Sequence, residues 1–313
     1  MGLDARGGVS VVELLIYGPL FFVCGFLILK HGWRREAWIY LLLFSNARVI
    51  GAITHVASEL SKTPNTTLHI VFSIMEAAGM SPLFLATLGL LSTAGQHTLL
   101  DDQPRIRMLL RILKLTAHGA LGLIIVGGVL VGTSKVINTI NTGIKLRHVG
   151  VIMFIVVLWL TIVVHGIYWS NESRILKQRR KVSFFLTKYT NAYLSLTSQL
   201  LVATSCALPF LVVRIIYTTL SAYAPTGIPE VTAGSANLAA FNSTTGSFAA
   251  YLLMSFLMEL VIVGDYVATG LTTNLNQDYE SSKAVDEEAF GLNTGANAAY
   301  APAYDSSQSS LRK

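Results

Sequence analysis

The chain has 313 residues, of which 52% are hydrophobic and only 13% charged, with a formal net charge of +6. A soluble domain carries about 25% charged residues. Together with a mean hydropathy of +0.56, this excludes an ordinary soluble enzyme and points to a polytopic membrane protein with the lipid bilayer as its solvent. The positive balance comes from membrane topology and gives no argument for a nucleic acid partner.

A helix needs about 20 apolar residues to cross about 30 Å of hydrocarbon. Seven runs meet that length, at about 9–29, 37–57, 68–92, 115–133, 148–169, 197–220 and 248–270. The expected fold is an all-α membrane protein, a seven-transmembrane-helix bundle occupying residues 1–272. The first run has no basic segment before it and no cleavage site followed by a soluble domain, so it reads as a retained helix.

With the N-terminus outside, thirteen Lys and Arg residues fall in cytosolic loops and five in exterior ones. That bias satisfies the positive-inside rule and places the C-terminus in the cytosol. The sequons at Asn65 and Asn242 then lie outside and are candidate glycosylation sites; the one at Asn171 lies inside. The bases Arg174, Lys177, Arg179, Arg180 and Lys181 come soon after the fifth run. They read as a stop-transfer flank or as a contact for anionic lipids.

Arg105 to Arg111 reads as a short basic amphipathic helix on the inner leaflet. The exterior loop from Ser221 to Ser247 contains Pro225, Gly227, Pro229, Gly234 and Gly246, and reads as a lid or a spacer. Residues 273–313 are rich in Asn, Ser, Ala and acid, the composition of a disordered cytosolic tail. Cys24 and Cys206 both fall within helices, which implies packing and no exofacial disulfide.

The most informative residues are four charges inside apolar runs. Arg48 lies in the second, Glu76 in the third, Arg214 in the sixth and Glu259 in the seventh. An ionised side chain in hydrocarbon costs roughly 2.5–3.5 kcal/mol on insertion scales, so such groups face the bundle interior and need partners. At 1.5 Å per residue, Arg48 and Glu76 lie roughly 12–14 Å below the outer surface. All four fit one layer, as two Arg–Glu contacts or one four-member network.

The local wording also repeats. Arg48-Val-Ile echoes Arg214-Ile-Ile, and Met75-Glu76 echoes Met258-Glu259. Two parallel trios of helices joined by a single inverting crossing would give a 3+1+3 repeat.

Helical spacing extends the charged layer. His69, Ser73, Glu76 and Met80 share a face, as do Ser45, Arg48 and His55, and Tyr251, Ser255, Glu259 and Tyr266. Glu13 and Tyr17 are one turn apart on the first helix, and Tyr217 neighbours Arg214. These faces converge on a polar chamber opening outward past His55, His69 and Glu13. The ligand-binding candidates are therefore Arg48, Glu76, Arg214, Glu259, His55, His69, Tyr217 and Glu13. Pro82 and Pro209 each interrupt a helix beside this layer. Asp265 reads as structural, near the cytosolic end of the last helix, and His118 and His165 as packing histidines.

No two of His, Cys, Asp and Glu within the seven apolar runs have metal-ligand spacing, so no metal site is expected. No phosphate-cradling Gly loop or other cofactor signature is present, and no cofactor is expected. Gly122, Gly127, Gly128 and Gly132 make the fourth helix smooth enough for close packing.

Leu43-Phe-Ser-Asn-Ala-Arg48-Val-Ile-Gly, Glu76 through Pro82 to Ser92, Pro209-Phe-Leu-Val-Val-Arg214-Ile-Ile-Tyr217 and Met258-Glu259 carry a resemblance over about 10–270. The chain resembles a fungal family of seven-helix integral membrane proteins of unknown function. The resemblance implies a fungal source and a seven-helix fold, and it assigns no substrate. Residues 248–270 contain no lysine, which separates the chain from microbial rhodopsins.

Three functions remain open on these residues. In the first, the chamber binds a small molecule and the protein is a transporter or sensor in the plasma membrane or endoplasmic reticulum. In the second, it is a membrane enzyme of fungal secondary metabolism with cyclase-like acid catalysis by Glu76 or Glu259. In the third, the ion pairs fix helix register and the protein is a structural or scaffold component.

Overall fold

The computed structural model describes residues 5–33, 35–61, 66–95, 103–182, 187–225, 234–242 and 245–273. The side chains of residues 66, 67, 69, 70, 172–182 and 187–197 are outside that description. So is the whole of the tail expected at 273–313, apart from Thr273 itself. Among the described residues every regular element is helical.

Seven helices are long and apolar enough to cross a membrane: Ala5–His31, Glu36–Leu60, Val71–Ala94, Pro104–Thr133, Ile137–Asn171, Ser198–Ala222 and Phe248–Thr272. In that order they are the first to seventh spans. In hydrocarbon each backbone N–H and C=O must find a partner within its own segment, which leaves the helix as the stable choice for such runs. The third span is the central one. Some 83% of its apolar window is buried, and no other span exceeds 56%. The others keep large apolar side chains on outward faces, among them Phe22, Leu29, Leu115 and Trp159.

Local chemistry sets the ends and interruptions. The first span stops at Gly32, whose φ of 83° is left-handed and whose N–H bonds the Ile28 carbonyl at 2.8 Å. Glycine takes that conformation without a Cβ penalty, so the chain reverses within a few residues into the second span.

The third span is two helices, Thr66–Ala78 and Met80–Ala94, meeting at Gly79. Pro82 has no N–H for the carbonyl of Ala78, four residues back. The interruption therefore lies one turn before the proline. Pro209, by contrast, sits inside the continuous helix Thr187–Ala222.

The seventh span contains a π-helical turn, Leu252–Phe256, between Phe248–Tyr251 and Leu257–Thr272. Its far end is held by Lys30, whose Nζ donates to the carbonyls of Gly270, Leu271 and Thr273 at 3.2, 2.7 and 3.1 Å. A cation at a helix C-terminus is favoured by the unsatisfied carbonyls there.

Arg105 to Arg111 does not form a separate surface helix. It is the first part of one continuous helix, Pro104–Thr133. Pro104 occupies the opening turn, where a proline fits, and no Gly or Pro comes after it to end the helix before the apolar run. Ile106, Leu110 and Leu113 are buried along it while Arg105, Arg107 and Arg111 are exposed. The fifth span likewise belongs to a longer helix, Ile137–Val182.

Glycines permit the closest contacts. A Cβ on Gly127 would lie 2.6 Å from the Gly143 carbonyl oxygen, and one on Gly143 would lie 2.7 Å from the Gly127 carbonyl oxygen. The fourth and fifth spans thus touch backbone to backbone. The second and third do the same where Gly89 meets Ala37.

Candidate functional site

The buried face of the second span carries Leu41, Phe44, Ser45, Arg48, Gly51, Ala52 and His55. Helical spacing aims Arg48 at the bundle interior, where it is 3% exposed. Glu76 comes from the last turn before the Gly79 break, Arg214 from the turn after Pro209, and Glu259 from the turn after the π segment. All three are buried as well.

The four side chains form one closed network. Arg48 is ion-paired with Glu76 through one terminal nitrogen and with Glu259 through the other. The Arg214 Nε donates to Glu259 Oε1 at 2.5 Å, and its Nη2 donates to Glu76 Oε1 at 3.0 Å. Each guanidinium meets both carboxylates and each carboxylate both guanidiniums. The group sums to zero charge, and its opposite charges offset one another in a setting where an isolated one is expensive. Ser255, on the π turn, donates to Glu76 Oε1 at 2.7 Å. The Arg48 guanidinium lies over the Phe44 ring at 5.6 Å, and that of Arg214 over Tyr217 at 5.5 Å, distances at which a cation is attracted by the ring face.

Further polar side chains surround this core. Tyr251, one turn before Ser255, donates its hydroxyl to Glu13 Oε1 at 2.8 Å. His55 Nδ1 is hydrogen-bonded to Ser10 Oγ at 2.9 Å, and its Nε2 lies 3.5 Å from Glu59 Oε1. The His55 ring stacks on Phe72 at 4.3 Å between centroids. The Tyr17 hydroxyl, the Tyr217 hydroxyl and Arg48 Nε are buried without a hydrogen-bond partner among the described residues.

Among the described residues the expected outward mouth is closed. Glu13 is 1% exposed and His55 5%, because first-span residues Ser10 and Glu13 are tied to the second and seventh spans. The His69 side chain and Asn65 lie outside the described residues, as do the side chains of Arg174, Lys177, Arg179, Arg180 and Lys181. Asn242 is part of its loop, donating to the Pro225 carbonyl at 2.7 Å and accepting from the Thr245 N–H at 3.0 Å.

Residues away from the layer have separate settings. Asp265 lines a groove of about 370 Å³ between the sixth and seventh spans, with Ser198, Gln199 and Thr269. Its Oδ2 is buried without a hydrogen-bond partner among the described residues. His165 Nε2 bonds Ser205 Oγ at 2.8 Å. His118 is exposed and bonds the Lys114 carbonyl within its own helix. Among the described residues no group of three His, Cys, Asp or Glu side chains could hold a metal ion.

Sequence spacing did not point to Ser10, Glu59 or Thr218. Ser10 lies three residues before Glu13 and Glu59 four after His55, so the face-sharing rule that linked Glu13 to Tyr17 reaches both. Thr218, four residues after Arg214, is reached the same way and stands 3.4 Å from Arg214 Nη1.

A family model described as Domain of unknown function (DUF7702) matches residues 3–188 and 182–276. The chain belongs to that family. The match runs through all seven spans and includes every member of the Arg–Glu network. No curated protein and no solved structure matches the chain.

Proposed function

We propose that the Arg–Glu layer is the closed state of a small-molecule site, and that the protein is a transporter or sensor. The observation that carries this reading is an excess of polar atoms. The four charges are ion-paired with one another, yet the hydroxyls of Tyr17 and Tyr217 and the Nε of Arg48 have no hydrogen-bond partner among the described residues. Burying such atoms unpaired costs about 1–3 kcal/mol each. A purely structural clamp has no use for that cost, whereas a site that opens to a polar solute does.

The helix interruptions support the same reading. The Gly79 break and the π turn carrying Ser255 flank the layer from two spans. Broken helices recur at transporter substrate sites, and π turns at functional sites generally.

The network is symmetric in its wiring. Each Arg contacts the Glu of its own trio and the Glu of the other, which favours the 3+1+3 repeat. A cytosolic C-terminus, glycans on Asn65 and Asn242, anionic lipid near Arg174 to Lys181, a fungal source and residence in the plasma membrane or endoplasmic reticulum complete the proposal. The acid-catalysis reading loses ground at its two candidates, because Glu76 and Glu259 each face two guanidiniums.

The test is an untargeted metabolite comparison between a strain lacking the gene and its parent, with complementation. A solute class should change on deletion and be restored by the wild-type chain but not by Arg48→Met. An unchanged metabolite profile, with full folding of the Arg48→Met, Glu76→Leu pair, would leave the network a structural clamp.

A further inference from the structure

The buried charges do not sum to zero once Glu13 is counted. Arg48 and Arg214 supply two positive charges, and Glu76, Glu259 and Glu13 supply three carboxyls. The Arg–Glu network is complete without Glu13, which has no Lys, Arg or His nitrogen within ion-pair distance among the described residues. Its hydrogen-bond partner is a neutral hydroxyl, that of Tyr251.

The groups that face Glu13 come from several spans. Arg48, Glu76 and Glu259 act on it through space, and Tyr251 does so directly. Tyr17, one turn along its own helix, is within electrostatic reach, and its hydroxyl has no hydrogen-bond partner among the described residues. His55 is held by Ser10 and Glu59. Arg6 is about 10 Å further along the helix by rise per residue; it donates to the Gly246 carbonyl at 2.6 Å and lies over the Tyr251 ring. A carboxylate in this setting has been taken from water without a counterion, which is costly by several kcal/mol.

We propose that Glu13 is the proton-exchange site of the chamber. In the closed bundle the carboxyl holds one proton. When the outer ends of the first, second and seventh spans separate, its O–H bond breaks, the proton passes to water and the carboxylate is hydrated. Solute binding at the Arg–Glu layer is thereby coupled to one proton. Glu76 and Glu259 face two arginines each, which leaves the third acid for this role. The coupling to solute rests on the ligand-site reading above; the proton site itself does not.

The experiment uses the full chain in lipid nanodiscs, read by infrared difference spectroscopy across a pH titration. A carboxylic C=O stretch that bleaches as pH rises is expected in the wild type. Glu13→Gln should remove it, Glu13→Asp should retain it at a shifted frequency, and Tyr251→Phe should shift it by removing the hydrogen bond. Near-UV circular dichroism establishes that each variant is folded. A wild type with no such band, or a band that survives in folded Glu13→Gln, overturns the proposal. A metabolite identified by the deletion comparison is then bound at two pH values. Binding that is strong but independent of pH in both wild type and Glu13→Gln refutes the coupling and leaves the ligand site standing.

Discussion

Arg48 on the second span is ion-paired with Glu259 on the seventh as well as with Glu76 on the third. That contact joins the two ends of the bundle in one polar network, and Arg214 repeats the pattern with the same two acids. A crossed network differs from two independent pairs in what substitutions do to it.

Removing one member leaves three charges with a net imbalance. Arg214→Met should destabilise by about 3–5 kcal/mol, the range for a buried pair broken on one side. Adding Glu259→Leu restores neutrality and should recover much of the loss. The crossing makes a sharper statement: Arg48→Met with Glu259→Leu should recover as much as Arg48→Met with Glu76→Leu. Reversible unfolding in mixed micelles, arranged as double-mutant cycles, measures all four couplings. Coupling confined to the same-trio pairs would contradict the network.

Tyr17 and Tyr217 separate stability from function. Their hydroxyls have no hydrogen-bond partner among the described residues, so Tyr17→Phe and Tyr217→Phe should each raise the unfolding free energy by about 1–3 kcal/mol. If the hydroxyls contact solute, the same variants should fail to complement the deletion strain's metabolite change. A large loss of stability would mean that the hydroxyls are bonded in the membrane.

The π turn sets the register between Tyr251, Ser255 and Glu259. Inserting one alanine after Leu253 adds a residue to a turn that already holds one more than an α turn, rotating the helix before it by about 100° against the helix after it. Either Glu259 or the Tyr251–Glu13 bond must then leave its place. The insertion should cost about 2–5 kcal/mol in thermal or denaturant unfolding, the range for leaving a charged partner buried alone. A conservative Leu253→Val should be nearly silent, since Leu253 is exposed.

Contact between the fourth and fifth spans should be intolerant of a single methyl group. At Gly127 or Gly143 the added Cβ meets backbone that cannot move aside, and Gly→Ala should cost about 1–3 kcal/mol. A Cβ added at Gly122 would have nothing within 4 Å, so Gly122→Ala should be neutral. Thermal unfolding of the three variants in one detergent decides this.

Much of the fold was legible because hydrocarbon imposes a local rule. Length and apolarity alone define a crossing, and the seven runs each correspond to a helix that meets the rule. Interruptions were harder. Pro82 marks the third span, yet the break falls at Gly79, a residue without Cβ next to the Ala78 carbonyl that the proline leaves free. The π turn has no marker in Leu252–Phe256, because five ordinary helix formers accommodate either winding. The basic stretch that opens the fourth span reads as separate on amphipathicity, although nothing in it ends a helix.

What the residues alone determined is the number of spans and the presence of two arginines and three glutamates within the seven apolar runs, since a charge in an apolar run is visible one residue at a time. Only the packed bundle decided that each arginine meets both acids of the network and that Glu13 is left with a tyrosine. Span rotation and tilt are fixed by side chains packing from several helices at once, and a turn of a few tens of degrees would exchange one partner for another without altering any local pattern.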